Sequence, residues 1–104
     1  MKLKIHPEAK GDLRAAIHWY ESQRPGLGAD LFAVIDAAFA KITNNPERCP
    51  RLETWTADGD IRRLLVPRFP YSVVFEIAGE EVQVLAVAHT SRRPNYWAQR
   101  RAPL

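Results

Sequence analysis

The sequence has little cysteine, little glycine and no long apolar run, and each shortage excludes a class of protein. Cys49 is the only cysteine among 104 residues, so one chain can form neither an internal disulfide nor a thiolate metal cluster. The five glycines do not form a phosphate-binding loop of known spacing. No apolar run approaches the length of a signal-peptide core or a membrane span, so we expect a cytoplasmic protein without membrane contacts.

Motifs that would indicate a metal or cofactor enzyme are also missing. The three histidines, His6, His18 and His89, are too scattered along the chain to predict a metal site. There is no nucleophile elbow and no paired carboxylate motif. We therefore predict neither a metal nor a cofactor.

The composition is that of an ordinary globular protein, with 46% hydrophobic and 26% charged residues, and the length favours one domain over residues 1–104. The net charge of +3 is concentrated near the C-terminus. Residues 92–101 contain four arginines and no carboxylate: Arg92, Arg93, Arg100 and Arg101. Such a stretch suits RNA or an acidic protein surface, and we expect an acidic partner to supply the missing carboxylates.

Two amphipathic helices are predicted in the first half of the chain. One begins at His6-Pro7-Glu8, where proline occupies the first turn, and ends at Gln23–Gly26. The other begins near Gly28-Ala29-Asp30 and ends at Asn44-Asn45-Pro46. Because the connection is short, the two helices should form an antiparallel hairpin. His18 and Trp19 lie beside the apolar face of the first helix, and we expect both to pack.

The second half has the period of β-strands. Strands are predicted at Ile61–Val66, Tyr71–Ile77 and Val82–His89, and Gly79 can take the positive φ of the turn between the last two. Residues 2–6 form a further strand at an edge of the sheet. The predicted fold is therefore α+β, with an N-terminal strand and an antiparallel helical hairpin packed on an antiparallel β-sheet.

Five local strings follow one another along nearly the whole chain: Ala15–Glu21, Ile42–Pro46, Ile61–Leu64, Phe69–Phe75 and Val87–Trp97. In this order and spacing they resemble the RelE/ParE toxin superfamily, and more closely its plasmid-stabilisation, ParE-like branch. The resemblance implies the same fold that the periodicity predicts.

The resemblance also implies a toxin of a type II toxin–antitoxin system. Members divide into inhibitors of DNA gyrase and ribosome-dependent messenger-RNA endonucleases, and some have lost toxicity. All are expected to bind a cognate antitoxin whose C-terminal segment folds onto the toxin. Our leading hypothesis is a non-enzymatic gyrase inhibitor. The alternatives are a ribosome-dependent endonuclease, which alone requires direct contact with nucleic acid, and an inert antitoxin-binding member.

Four residues near the C-terminus are candidates for binding the antitoxin or the target. Arg92 and Arg93 could clamp phosphates or pair with acidic residues, and we favour the second role. Tyr96 and Trp97 could stack on bases, but we expect them to close the helix pair against the sheet.

If the protein is a nuclease, its candidate catalytic residues are His89, Tyr96, Arg63 and Arg92; otherwise we assign none. His89 ends a strand, where its imidazole could act as general acid or base or could simply be satisfied by a backbone carbonyl. Arg62 and Arg63 are adjacent on a strand, so only one of them can line a given surface, and the sequence leaves open which one.

Overall fold

The computed structural model describes residues 1–102. Six regular elements follow one another along the chain: β1 (Lys2–Ile5), α1 (Pro7–Gln23), α2 (Leu27–Asn44), β2 (Asp60–Leu65), β3 (Tyr71–Ala78) and β4 (Glu81–His89). Single turns of 3-10 helix occur at Pro46–Arg48 and Ala98–Arg100. The predicted two helices and four strands are therefore present in the predicted order.

Local signals define the helical hairpin. The imidazole of His6 accepts a hydrogen bond from the backbone N–H of Glu8 at 3.0 Å, so it caps α1. Between the helices, Gly26 has φ 91°, which favours glycine. The Glu21 carboxylate accepts hydrogen bonds from the backbone N–H groups of Gly26 and Gly28, and the shortest N···O distance to each is 3.0 Å. This carboxylate fixes the tight connection that keeps the two helices adjacent.

The four strands form one sheet in the order β1-β4-β3-β2. β3 is antiparallel to both β2 and β4, as predicted. β1 lies at an edge, also as predicted, but it runs parallel to β4, from Lys2 opposite Glu81 to Ile5 opposite Val84. The α+β fold class is confirmed, and the antiparallel pairing expected for the N-terminal strand is wrong. Side-chain alternation is the same in both strand directions, and the chain between β1 and β4, which includes both helices and two strands, is long enough for either pairing.

Both faces of the sheet are covered. The helices cover one face with a core that includes Leu31, Ile35, Val73 and Phe75. On the strands, the residues that alternate with these point to the opposite face. They form a second core together with side chains from the segment before β2 and from the segment after β4. Its members are Ile61, Val74, Leu85, Ala86, Ala88 and Trp97, with Leu52, Trp55, Tyr96 and Ala98 packed at its border.

Trp97 is the largest side chain of this second core and is 2% exposed. Its ring centroid lies 5.3 Å from that of Trp55. We expected Trp97 to close the helix pair against the sheet, and it packs instead on the face away from the helices. A β-bulge occurs in β4 at this core, because Val74 pairs with Ala86 and Phe75 with Val84, so Leu85 is an extra residue. Leu85 and Ala86 both belong to the second core.

Candidate functional site

The four C-terminal arginines divide into two pairs. Arg100 contacts both carboxylate oxygens of Asp12, at 2.7 and 3.2 Å. Arg101 makes a similar two-bond contact with Glu76, at 2.9 and 2.8 Å. Our expectation that a partner must neutralise the basic tail is therefore wrong for these two arginines, because α1 and β3 supply their carboxylates.

Asp12 joins three parts of the molecule. Besides Arg100, it accepts hydrogen bonds from the backbone N–H of Val87 at 3.2 Å and from the Tyr96 hydroxyl at 3.3 Å. Asp12 is not among the residues predicted from the sequence, although its position on α1 is a signal. It lies three residues after Ala9 and four before Ala16, so it is a charge on the buried face of α1.

The same contacts shift the ionisation of two groups. Burial and the negative charge of Asp12 raise the pKa of Tyr96 to about 12. Burial alone would lower the pKa of Arg100, but the hydrogen bond and charge of Asp12 raise it above its usual value. Tyr96 is therefore a neutral phenol at physiological pH, and Arg100 stays charged.

Arg92 and Arg93 are exposed, and neither forms an ion pair within residues 1–102. The guanidinium carbon of Arg92 lies 3.9 Å from the centre of the Tyr96 ring. This cation–π contact holds Arg92 in place and leaves its N–H donors available. These two arginines are free to bind an anionic partner.

His89 ends β4 with its ring edge-on to Tyr71, at a centroid distance of 5.2 Å. Its Nδ1 accepts from the backbone N–H of Ser91 at 3.0 Å and lies 2.7 Å from the Ser91 hydroxyl. An amide can only donate, so Nδ1 is unprotonated and Nε2 carries the ring proton. A backbone amide thus satisfies Nδ1, and among the described residues the backbone carbonyl given as an alternative from the sequence does not bond to the ring.

The two adjacent arginines on β2 have different surroundings. Arg62 donates to the carbonyls of Glu47 and Cys49, at 2.9 and 2.7 Å, and to Asp60 at 2.9 Å. It therefore anchors the loop that follows α2. Arg63 points to the other face and is exposed, so Arg63 is the one that faces the C-terminal arginines.

Burial raises the pKa of the Cys49 thiol, which disfavours the reactive thiolate.

Arg63 lines a small hollow of about 100 Å³, which we call the arginine hollow. Its lining includes all four candidate nuclease residues and a third arginine: Arg63, His89, Arg92, Tyr96 and Arg93. The structure thus brings Arg63 next to residues that lie 26 to 33 positions further along the sequence. Their chemical role stays a prediction.

A larger groove, of about 490 Å³, lies between α1 and the end of β4, and we call it the α1–β4 groove. Gly11 and Ala15 of α1 leave it open, and Trp19, Tyr71 and Arg92 are among its walls. Trp19 is 57% exposed, so our expectation that it packs is wrong. His18 is exposed as well, so the expectation that it packs is also wrong.

On the other flank of α1 lies an apolar groove of about 230 Å³. Its apolar lining comes from both helices and β1, and Lys10 and Arg14 contribute basic side chains. The lining apolar residues are Ile5, Ala9, Leu13, Ile17, Phe32 and Phe39. Phe32 is 50% exposed although it is a large aromatic, which is typical of a contact surface.

Residues 1–102 contain neither of two further classes of site. No group of three or more histidine, cysteine or acidic side chains there is arranged to hold a metal ion. In the same residues, no helix combines the length and the apolar character needed to cross a membrane.

The family model described as the ParE toxin of the type II toxin–antitoxin system parDE matches residues 3–94. A solved chain of the chromosomal ParDE toxin–antitoxin system from P. aeruginosa has the same fold, with a TM-score of 0.72 and 23% sequence identity. The alignment covers 86% of this chain and 95% of that one. No curated protein matches the chain.

Proposed function

Because this chain belongs to the ParE toxin family of type II toxin–antitoxin systems, we propose that it inhibits growth by direct protein contact with DNA gyrase. A cognate antitoxin neutralises it in the cytoplasm. Such a pair would stabilise a plasmid that carries it, because a cell in which the antitoxin no longer neutralises the toxin stops growing.

The environment of Tyr96 is the observation that supports a non-enzymatic mechanism. A nuclease that activates a 2′-hydroxyl needs a general base and a general acid with pKa values near neutrality. The Tyr96 hydroxyl is engaged by Asp12 and has its pKa raised to about 12, so it is a poor base at neutral pH. The Nδ1 atom of His89 is occupied by Ser91, which leaves one ring nitrogen to do both tasks.

The arginine hollow favours the alternative, a ribosome-dependent endonuclease. Arg63, Arg92 and Arg93 line it, and a guanidinium can bind a phosphate group through two parallel N–H···O hydrogen bonds. In that case Nε2 of His89 acts as the proton donor and the base comes from the RNA or the ribosome.

Pulse labelling separates the mechanisms. After induction of the toxin without antitoxin, we expect thymidine incorporation to fall before leucine incorporation, and purified toxin should block supercoiling by gyrase. An early collapse of leucine incorporation would instead support the endonuclease. Unchanged incorporation of both precursors would indicate an inert member. Co-expression of the antitoxin is the control, because it should restore both signals.

For neutralisation, we propose that an acidic, amphipathic and initially disordered segment of the antitoxin folds onto the toxin. The apolar groove supports this, since its Lys10 and Arg14 complement acidic residues while Phe32 and Phe39 offer apolar area. Arg92 and Arg93 are further anchors at the end of β4.

A matched pair of variants tests this contact. Phe32→Ser should weaken antitoxin binding at least about tenfold, which corresponds to about 1.4 kcal/mol. Leu65→Ser is the control, because Leu65 is an apolar side chain of similar exposure, 55% against 50% for Phe32, and it lies on β2, at the opposite edge of the sheet from β1. Equal affinities for the two variants would remove the apolar groove from the interface.

A further inference from the structure

The edge of β4 beside α1 is only half covered. β1 pairs with the first half of β4, and its last residue, Ile5, lies opposite Val84. β4 continues to His89, so its second half extends past the end of β1. On the side of β4 away from β3, the backbone groups of this second half face the α1–β4 groove instead of a neighbouring strand.

Strand geometry identifies these backbone groups. The N–H and C=O of one strand residue point to the same side, and the side alternates along the strand. Thr90 donates its N–H to Pro70, next to β3, so the N–H and C=O groups of the even-numbered residues in this half of β4 point toward β3. The backbone groups of Val87 and His89 therefore point toward the groove, as does the Leu85 carbonyl.

Side chains satisfy part of this exposed edge. Arg100 donates to the Leu85 carbonyl at 3.0 Å, and Asp12 accepts from the Val87 N–H at 3.2 Å. The carbonyl of Val87 and the N–H of His89 have no hydrogen-bond partner among residues 1–102. In a parallel ladder these two groups bond to the N–H and C=O of a single residue on the next strand.

The groove has the space for such a strand. Gly11 faces it, and a Cβ built on Gly11 would meet no atom within 4 Å. Gly11 and Ala15 lie one helical turn apart, so two small residues keep the helix side of the groove shallow. The volume of about 490 Å³ is in the range of sites that hold ligands of a few residues.

The charges of the groove indicate what kind of segment fits. At one end, Arg92 carries an unpaired positive charge beside the free Nε2–H of His89. At the other end, Glu8 is 64% exposed and lies 4.0 Å from Arg100. A carboxylate on the occupant is therefore favoured near Arg92 and disfavoured near Glu8. Between them, the exposed ring of Trp19 offers a surface to a large apolar side chain.

We propose that an extended segment of the cognate antitoxin adds to the open edge of β4 as a parallel strand, with a large apolar side chain on Trp19 and a carboxylate near Arg92. This inference rests on the proposed function only in that a cognate antitoxin binds the chain. It adds a second contact on the flank of α1 opposite the apolar groove, and this contact is made by main-chain hydrogen bonds.

Amide hydrogen exchange tests the main-chain pairing directly. We expect the N–H of His89 to exchange at least about tenfold more slowly in the toxin–antitoxin complex than in the free toxin, because it gains a hydrogen bond. The N–H of Thr90, already bonded to Pro70, is the internal reference. If the complex forms and the His89 amide is not protected, the strand addition is wrong while the proposed function stands. If no complex forms, the strand addition and the proposed neutralisation by an antitoxin are both wrong.

A filled groove tests the location. Gly11→Leu places a side chain in the open space and also improves helix propensity, so the toxin should stay folded. We expect antitoxin affinity to fall at least about tenfold. His18→Leu is the matched control on the same helix, at an exposed position. Unchanged affinity in Gly11→Leu would overturn the proposal, and loss of gyrase inhibition with unchanged antitoxin affinity would show that the target occupies the groove.

Discussion

Two pairs of arginines lie within ten residues of each other and have opposite surroundings. The side chains of Arg100 and Arg101 are 11% and 15% exposed and are held by carboxylates from distant elements. Arg92 and Arg93 are exposed and have no ion pair within residues 1–102. The comparison shows that a run of basic residues can contain structural and binding arginines side by side.

The physical difference between the pairs is solvation. A buried arginine whose carboxylate partner is removed leaves an uncompensated charge, so its interactions matter strongly for folding. An exposed arginine is hydrated in the free protein and contributes little to stability. The first pair should therefore control stability and the second pair binding, and each of the following experiments tests that division.

The largest expected effect is on stability, from Arg100→Ala. This substitution leaves Asp12 buried with a weaker set of partners and frees the Leu85 carbonyl, so the free energy of unfolding should fall by about 3 kcal/mol. Urea denaturation measures it. Arg93→Ala is the control and should change stability by less than about 0.5 kcal/mol. Equal effects of the two substitutions would contradict the division.

The next largest effect is on binding, from the double substitution Arg92→Glu and Arg93→Glu. Charge reversal should weaken antitoxin binding by at least about tenfold, or about 1.4 kcal/mol, and reduce its dependence on salt. Calorimetric titration at two ionic strengths measures both. Unchanged affinity in a correctly folded double variant would exclude this part of the tail from the interface.

A smaller effect is expected for Tyr96, which touches both pairs. Tyr96→Phe removes the hydrogen bond to Asp12 and should lower stability by about 1 kcal/mol at neutral pH. The pKa of Tyr96 is raised from 10.0 to about 12, so its stabilisation is complete below pH 10 and is lost as the pH rises through about 12. At alkaline pH, the free energy of unfolding should therefore fall less steeply with rising pH in the variant than in the unsubstituted protein. Identical dependence on pH in the two proteins would contradict a raised pKa of Tyr96.

The smallest expected effect is on toxicity, from His89→Gln. Glutamine keeps a polar side chain of similar reach but cannot exchange a proton near pH 7. Growth inhibition should largely survive if the toxin acts by protein contact. A variant that folds and binds antitoxin but is no longer toxic would instead favour the endonuclease.

Sequence reasoning predicted more of the fold than of the site. The helices and strands follow from local periodicity, caps and turns, such as His6 before Pro7 and the positive φ of Gly79, 62° in the structure. The direction of β1 was predicted incorrectly because its side-chain pattern is the same for parallel and antiparallel neighbours. For the site, the sequence indicated His89, Arg92 and Tyr96 but not Asp12, which gains its role only by contact with the distant C-terminal segment.

The sequence by itself determined the α+β class, the helical hairpin, the three-strand meander and the resemblance to RelE/ParE toxins, since these depend on residues close in the chain or on their order. Only the tertiary structure decided which arginines are neutralised, which of Arg62 and Arg63 faces the arginine hollow, and that half of the β4 edge is open. Those properties depend on distances between residues far apart in sequence, and burial and charge pairing act through space.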